Sequence, residues 1–138
     1  MATLHVFPDS ESIAEEIASR WRDQIQQAEE KDDVFSVVLS GGSTASLVYS
    51  HLAKLKPVES ICWERVHIFW ADERCVSPEH EESNYLNIQR TFLNDIQIPR
   101  ENVHRIRGEE EPSGESFRYE KEIIDHLMLR KDEEKLFD

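Results

Sequence analysis

Glycine is scarce in this chain: there are four in 138 residues, alongside five prolines and two cysteines. Cys62 and Cys75 do not form a CxxC pair, and two cysteines are too few for a disulfide framework, so free thiols in a reducing compartment are expected. No apolar run approaches the roughly twenty residues that span a bilayer. The amino terminus, Met-Ala-Thr-Leu-His-Val, lacks the basic-then-apolar layout of a secretory signal, which points to a soluble, cytoplasmic protein. Basic residues are also in short supply, 16 against 29 acidic ones for a net charge of −13. Such a balance repels nucleic-acid backbones and anionic membranes alike, leaving small molecules as the expected partners. Any anionic ligand must then be gripped by a local site. Oligomeric state leaves no signature in the sequence.

What is present is a regular alternation of short apolar strands with amphipathic helices. With 38% hydrophobic residues the chain can bury a core, and residues 1–138 read as a single α/β domain. Leu4–Phe7 is a brief strand candidate. A helix follows Pro8-Asp9 with Ile13, Ile17, Trp21 and Ile25 on one stripe and Ser12 and Glu15 spaced as a capping box. Val34–Leu39 has the near-continuous apolar character of a strand buried on both faces. The next helix carries Val48, Leu52 and Leu55 and stops before Pro57. Val66–Trp70 is a strand, the helix from about Ser83 bears Tyr85, Ile88, Phe92 and Leu93, and Asn102–Ile106 is a further short strand. An acidic loop, Gly108–Gly114, precedes a last helix with Phe117, Lys121, Ile124 and Met128 at helical spacing, and Leu136-Phe137-Asp138 looks like the opening of a fifth strand. This order predicts a three-layer, Rossmann-like, mostly parallel sheet with helices on both faces, incomplete at its carboxyl end. Ligands of such sheets sit beyond the carboxyl ends of the strands.

Two polar segments fall on that edge. In Ser40-Gly41-Gly42-Ser43-Thr44, half of the chain's glycines crowd one strand-to-helix turn. Glycines let main-chain N–H groups approach a ligand closely, Ser43 and Thr44 add hydroxyl donors, and a helix amino end favours an anion. Two glycines alone serve a plain bend equally well. In Ala71-Asp72-Glu73-Arg74 a guanidinium suited to phosphate stands beside two carboxylates that could meet sugar hydroxyls or orient a water. Pairing of Asp72 or Glu73 with Arg74 is the simpler alternative, as is helix capping for Ser83 or Asn84.

Taken in order, Leu39–Thr44, Trp63, Asp72-Glu73-Arg74-Cys75-Val76 and Glu82-Ser83-Asn84, with Ile98-Pro99 and Asn102–Ile106 after them, resemble the amino-terminal half of the 6-phosphogluconolactonases. The glucosamine-6-phosphate deaminases share that fold, but they typically read Thr-Gly-Ser-Thr in the first loop and Asp-Glu-Tyr in the second. Here the loops read Gly42-Ser43-Thr44 and end in Arg74. The resemblance implies hydrolysis of 6-phosphoglucono-δ-lactone to 6-phosphogluconate, in the oxidative pentose phosphate pathway, with no metal and no organic cofactor. Carried over residue by residue, Gly41, Gly42, Ser43, Thr44 and Arg74 would bind the substrate phosphate, and Asp72 would act in catalysis or orient the machinery. The family's catalytic histidine follows its fifth strand, in a Gly-x-Gly-x-Asp-Gly-His stretch that this chain does not reach.

Of the six histidines, His80 alone is placed near the proposed edge. His67 and His104 fall in strands and His51 and His126 on helices, where structural roles are expected. Arg105 and Arg107 are candidate extra phosphate contacts. The expectation is therefore the phosphate-binding half of a lactonase, inactive alone. The alternatives are a non-catalytic sugar-phosphate module or an amino-sugar-phosphate deaminase of the same fold. A sheet that stops in a would-be central strand leaves apolar faces and edges uncovered, which favours a truncated lactonase.

Overall fold

The computed structural model describes residues 3–54, 61–128 and 137. Its centre is a parallel sheet in the order β1 (Phe35–Leu39), β2 (Val66–Trp70), β3 (Val103–His104). Phe35 pairs with Val66 and Leu39 with Trp70, so β1 and β2 end level; Ile68 pairs with Val103. Among the described residues, four α-helices pack on the sheet: α1 (Ser10–Glu30), α2 (Ser43–Leu52), α3 (Asn84–Thr91) and α4 (Pro112–Leu127). The α/β class and the parallel sheet expected from the alternating pattern are what is observed. Among the described residues no helix is long and apolar enough to cross a membrane.

Because side chains alternate along a strand, the sheet has two chemically different faces. Phe35, Leu39, Val66, Ile68 and Trp70 point to one face, where they join Trp21 and Ile25 of α1, Tyr49 and Leu52 of α2, and Ile88 of α3 in one buried cluster. Phe92 is its hub: wholly buried, with its ring centroid 5.9 Å from those of Trp21 and Trp63 and 6.1 Å from that of Tyr49. Truncating such a ring costs about 3–5 kcal/mol. Ser36, His67, Phe69 and His104 point the other way, towards Tyr119 and His126 of α4. The Tyr119 hydroxyl donates to the Trp70 carbonyl at 3.0 Å and accepts from the Trp70 N–H at 2.8 Å, locking α4 to the end of β2. Burial pushes that phenol up to about 12, so it stays a donor.

Several expected elements are realised differently. Leu4–Phe7 forms no strand, and Leu4 and Val6 are exposed. Asp9 caps α1, its Oδ1 accepting from the Ser12 N–H at 2.8 Å, so Ser12 and Glu15 are not its capping box. Val34–Leu39 is not buried on both faces, since Val38 is 37% exposed. The strand expected at Asn102–Ile106 shortens to two residues. The last helix begins at Pro112, capped by Glu111, and therefore absorbs Gly114. Its apolar stripe faces outward, with Phe117 72% and Met128 79% exposed, whereas Glu115, Tyr119 and His126 are buried. Those three also recur at helical spacing, and their polar atoms bond to the sheet and to the segment after β3, which an aliphatic stripe cannot do. Leu55, Pro57, Leu136 and Asp138 lie outside the described residues; Phe137 packs its ring 5.4 Å from that of Phe69.

Candidate functional site

The loops after β1 and β2 leave the sheet side by side, joined at their start by the Ala71 N–H bonding to the Leu39 carbonyl at 2.9 Å. Asn84 then clamps them together. Its side chain lies so close to Gly41 that a Cβ there would sit 2.0 Å from Asn84 Oδ1, while its Nδ2 donates to Asp72 Oδ1 at 2.9 Å. Glycine at 41 is thus demanded by the neighbour. At Gly42 it is demanded by the backbone, whose φ of 110° side chains rarely adopt. A second tie runs from Asn87 Nδ2 to Ser46 Oγ (2.6 Å) and on from that hydroxyl to the Gly42 carbonyl (2.8 Å).

Gly42 is also the N-cap of α2, and it supplies no side-chain acceptor; the first turn holds no acidic residue. Gly42, Ser43 and Thr44 are exposed there. The result is a helix amino end whose N–H groups and partial positive charge face solvent beside two hydroxyls.

The second loop divides its charges by role. Glu73 turns away from Arg74's guanidinium and into α3: its carboxylate accepts from the N–H groups of Asn84 (2.7 Å) and Tyr85 (2.8 Å), from Ser83 Oγ (3.2 Å), and from the Arg74 N–H (2.8 Å). Ser83 itself caps α3 through the Leu86 N–H. Arg74 is exposed, and among the described residues its guanidinium has no ion-pair partner. Asp72 is likewise exposed, with one carboxylate oxygen given to Asn84. Arg74 also borders a cavity of about 490 Å³ with Ile106, Pro112, Tyr119 and Ile123. The structure therefore brings Gly41 and Asp72 together through Asn84, ties Gly42 to α3 through Ser46 and Asn87, sets Ser43 and Thr44 on the open helix end, and leaves Arg74 uncommitted in the adjoining loop.

Other candidates are engaged elsewhere. Arg105 makes a two-pronged bond to Glu109 at 2.6 and 2.9 Å and lies over the Tyr85 ring. That hydrogen bond, with the charge of Arg105 behind it, holds Glu109 at about 2. His80 accepts the Glu82 N–H on Nδ1 at 3.1 Å and serves its own turn.

Sequence reasoning did not anticipate that three of the remaining histidines meet. His67 Nδ1 and His104 Nε2 are 2.9 Å apart, His104 Nδ1 is 2.6 Å from Glu122 Oε1, and His126 Nε2 is 2.7 Å from Ser36 Oγ. Burial, followed by the nearby charges of His126 and His104, lowers His67 to about 4. Burial raises Glu122, but hydrogen bonds from His104 and Arg118 outweigh it and leave the carboxyl below its ordinary range. Strand parity in the sequence sets His67 on the face of Phe69, but it is the observed register, pairing His104 with Phe69, that brings His67 and His104 together.

Residues 8–138 match the family described as glucosamine-6-phosphate isomerases/6-phosphogluconolactonase. The chain is 48% identical over 87 residues to a 6-phosphogluconolactonase of Haemophilus influenzae, covering 63% of this chain and 38% of that one. Against a 6-phosphogluconolactonase of Nostoc sp. the identity is 31% over 122 residues, 88% of this chain and 49% of the relative. The crystal structure of a 6-phosphogluconolactonase from Thermotoga maritima superposes with a TM-score of 0.73 at 30% identity, over 88% of this chain and 53% of that one. The chain thus spans about half the length, or less, of the relatives it matches.

Proposed function

From the premise that this chain belongs to the glucosamine-6-phosphate isomerase/6-phosphogluconolactonase family, we propose that it supplies the phosphate-gripping half of a site that hydrolyses 6-phosphoglucono-δ-lactone to 6-phosphogluconate. The observation that carries this reading is the pairing of an uncapped helix amino end at Gly42–Thr44 with the uncommitted Arg74 on the same sheet edge. The open N–H groups of α2 and the hydroxyls of Ser43 and Thr44 receive the phosphate oxygens, and Arg74 closes on them as a planar fork. Asp72, fixed by Asn84 between the two loops, faces the sugar and orients the reacting groups.

In the reaction a water oxygen adds to the lactone carbonyl carbon after losing a proton to a base. The tetrahedral oxyanion collapses with cleavage of the ring C–O bond, and the departing ring oxygen takes up a proton. Among the described residues no histidine is placed to serve as that base: His5 lies in the exposed segment before α1, His51 is in the last turn of α2, away from its open end, His80 is tied to its turn, and His67, His104 and His126 cluster between the sheet and α4.

Two experiments test the reading. Arg74→Ala should weaken 6-phosphogluconate binding at least about tenfold, the loss of one charge-assisted contact. Arg22→Ala, on the outer side of α1 beside Ser19 and Asp23, should leave it unchanged. Equal effects would remove the assignment of Arg74. Lactonase assay of the 138-residue chain should give no rate above spontaneous hydrolysis, and clear turnover would contradict the placement of the base.

A further inference from the structure

We propose that His67, His104 and His126 form a binding site for a transition-metal ion of the zinc class, held between β2, β3 and α4. One ring nitrogen from each histidine lies within 4.8 Å of the other two. Metal–nitrogen bonds of about 2.0–2.1 Å in tetrahedral geometry place ligand nitrogens about 3.3 Å apart. The His67–His104 pair already stands at 2.9 Å, so that pair must open slightly, and His126 must move closer, exchanging its present contact with Ser36 for the ion where that nitrogen is the ligand.

The surroundings suit coordination. Metals bind the neutral imidazole, and burial keeps His67 in that form at neutral pH. Glu122 occupies Nδ1 of His104 and leaves Nε2 for the ion; a carboxylate behind a ligating imidazole orients the ring and raises its basicity. Ser36 Oγ, 2.7 Å from His126 Nε2, holds that ring beside the other two. Phe69 stacks on His104 with centroids 4.2 Å apart and interplanar angle 9°, which restricts rotation of that ring. The cluster opens into a groove of about 670 Å³ bordered by Glu101, Lys121 and Asp125. Three imidazoles with an open side leave the fourth position to water or an external anion. Of the nearby cations, Arg118 is already paired with Glu115 and Glu122.

The site sits on a face of the sheet rather than at its carboxyl edge, so it stands or falls separately from the phosphate grip. Tag-free chain, stripped with a chelator and dialysed, is titrated with zinc by calorimetry and with cobalt(II) by visible absorption, while the imidazole resonances are followed by NMR. One ion per chain should bind, at about 10 μM or tighter, with the ring signals of His67, His104 and His126 shifting together. His104→Gln and His126→Gln should each weaken binding by about tenfold or more, and His80→Gln by no more than about twofold. Absence of stoichiometric binding overturns the proposal. So does binding that moves other histidine rings in the unaltered chain, a readout that needs no variant to fold. Equal losses in His80→Gln and the cluster variants would also overturn it.

Discussion

Two helices begin on the same edge of the sheet, and their amino ends are treated in opposite ways. The end of α3 is filled from within the chain, by the Ser83 hydroxyl and by both oxygens of Glu73. The end of α2 has a glycine cap, no acidic residue in its first turn, and hydroxyls standing in solvent. A helix end that a protein leaves unfilled retains its positive character for something else. Glu73 and Arg74, adjacent in sequence, thus separate into a structural anion and an available cation. Asn84 links the two ends, since its N–H bonds to Glu73 while its side chain wedges between Gly41 and Asp72.

The comparison can be broken most forcefully at the filled end. Glu73→Ala removes the acceptor for three backbone N–H groups, those of Arg74, Asn84 and Tyr85, and for the Ser83 hydroxyl, and should lower the unfolding free energy by about 2–3 kcal/mol in urea titration. A loss under about half a kcal/mol would mean that the filling contributes little. Next in size is Gly41→Ala. Its new Cβ collides with Asn84 Oδ1 at 2.0 Å, so Asn84 must leave Asp72, at a cost of about 1–2 kcal/mol. Adding Asn84→Ala should relieve the collision and recover part of the affinity for 6-phosphogluconate, measured by calorimetry; a double variant no better than the single one would show that the clash is not the cause.

A smaller substitution sharpens the contrast by making the open end resemble the filled one. Ser43→Asp places a carboxylate in the first turn of α2 and should stabilise the fold by about 0.3–1 kcal/mol. The same change should weaken 6-phosphogluconate binding, because charge then occupies the place proposed for the phosphate. Stabilisation accompanied by unchanged affinity would argue against a ligand at that end. Acid provides a control on the opposite side of the sheet. His67, held at about 4 against an ordinary 6.5, takes up its proton more readily in the unfolded chain. Stability should therefore hold above about pH 6.5 and decline as pH falls towards 4. Urea midpoints measured across that range should show a shallower decline in His67→Gln, with Ser43→Asp keeping the parental slope.

How far the sequence foretold this arrangement varies by element. The strands at 35–39 and 66–70 were legible because apolar, β-branched and aromatic runs of that length are bounded by turn residues, and α3 was legible from Ser83 and its stripe. The glycine turn announced itself by concentrating a rare residue. The division between Glu73 and Arg74 was not readable, because pairing, capping and ligand binding draw on the same charged residues and only the path of the loop decides among them. The inner face of α4 was misjudged for a related reason. Phe117, Ile124 and Met128 and the polar set Glu115, Tyr119 and His126 both recur at helical spacing, and the choice between them rests on hydrogen bonds to distant strands. The histidine cluster joins residues up to 59 positions apart, from 67 to 126, which no local spacing rule detects.

In the proposed function the open end of α2, with Arg74, grips the substrate phosphate while the end of α3 does not. Titration of the isotopically labelled chain with 6-phosphogluconate, read at backbone amides and arginine side chains, tests it most directly. Saturable shifts should concentrate at the amides of Ser43, Thr44 and Ala45 and at the Arg74 guanidinium, exceeding those at Asn84, Tyr85 and Leu86. Shifts centred on Asn84–Leu86, or no saturable response at Ser43–Ala45, would contradict it.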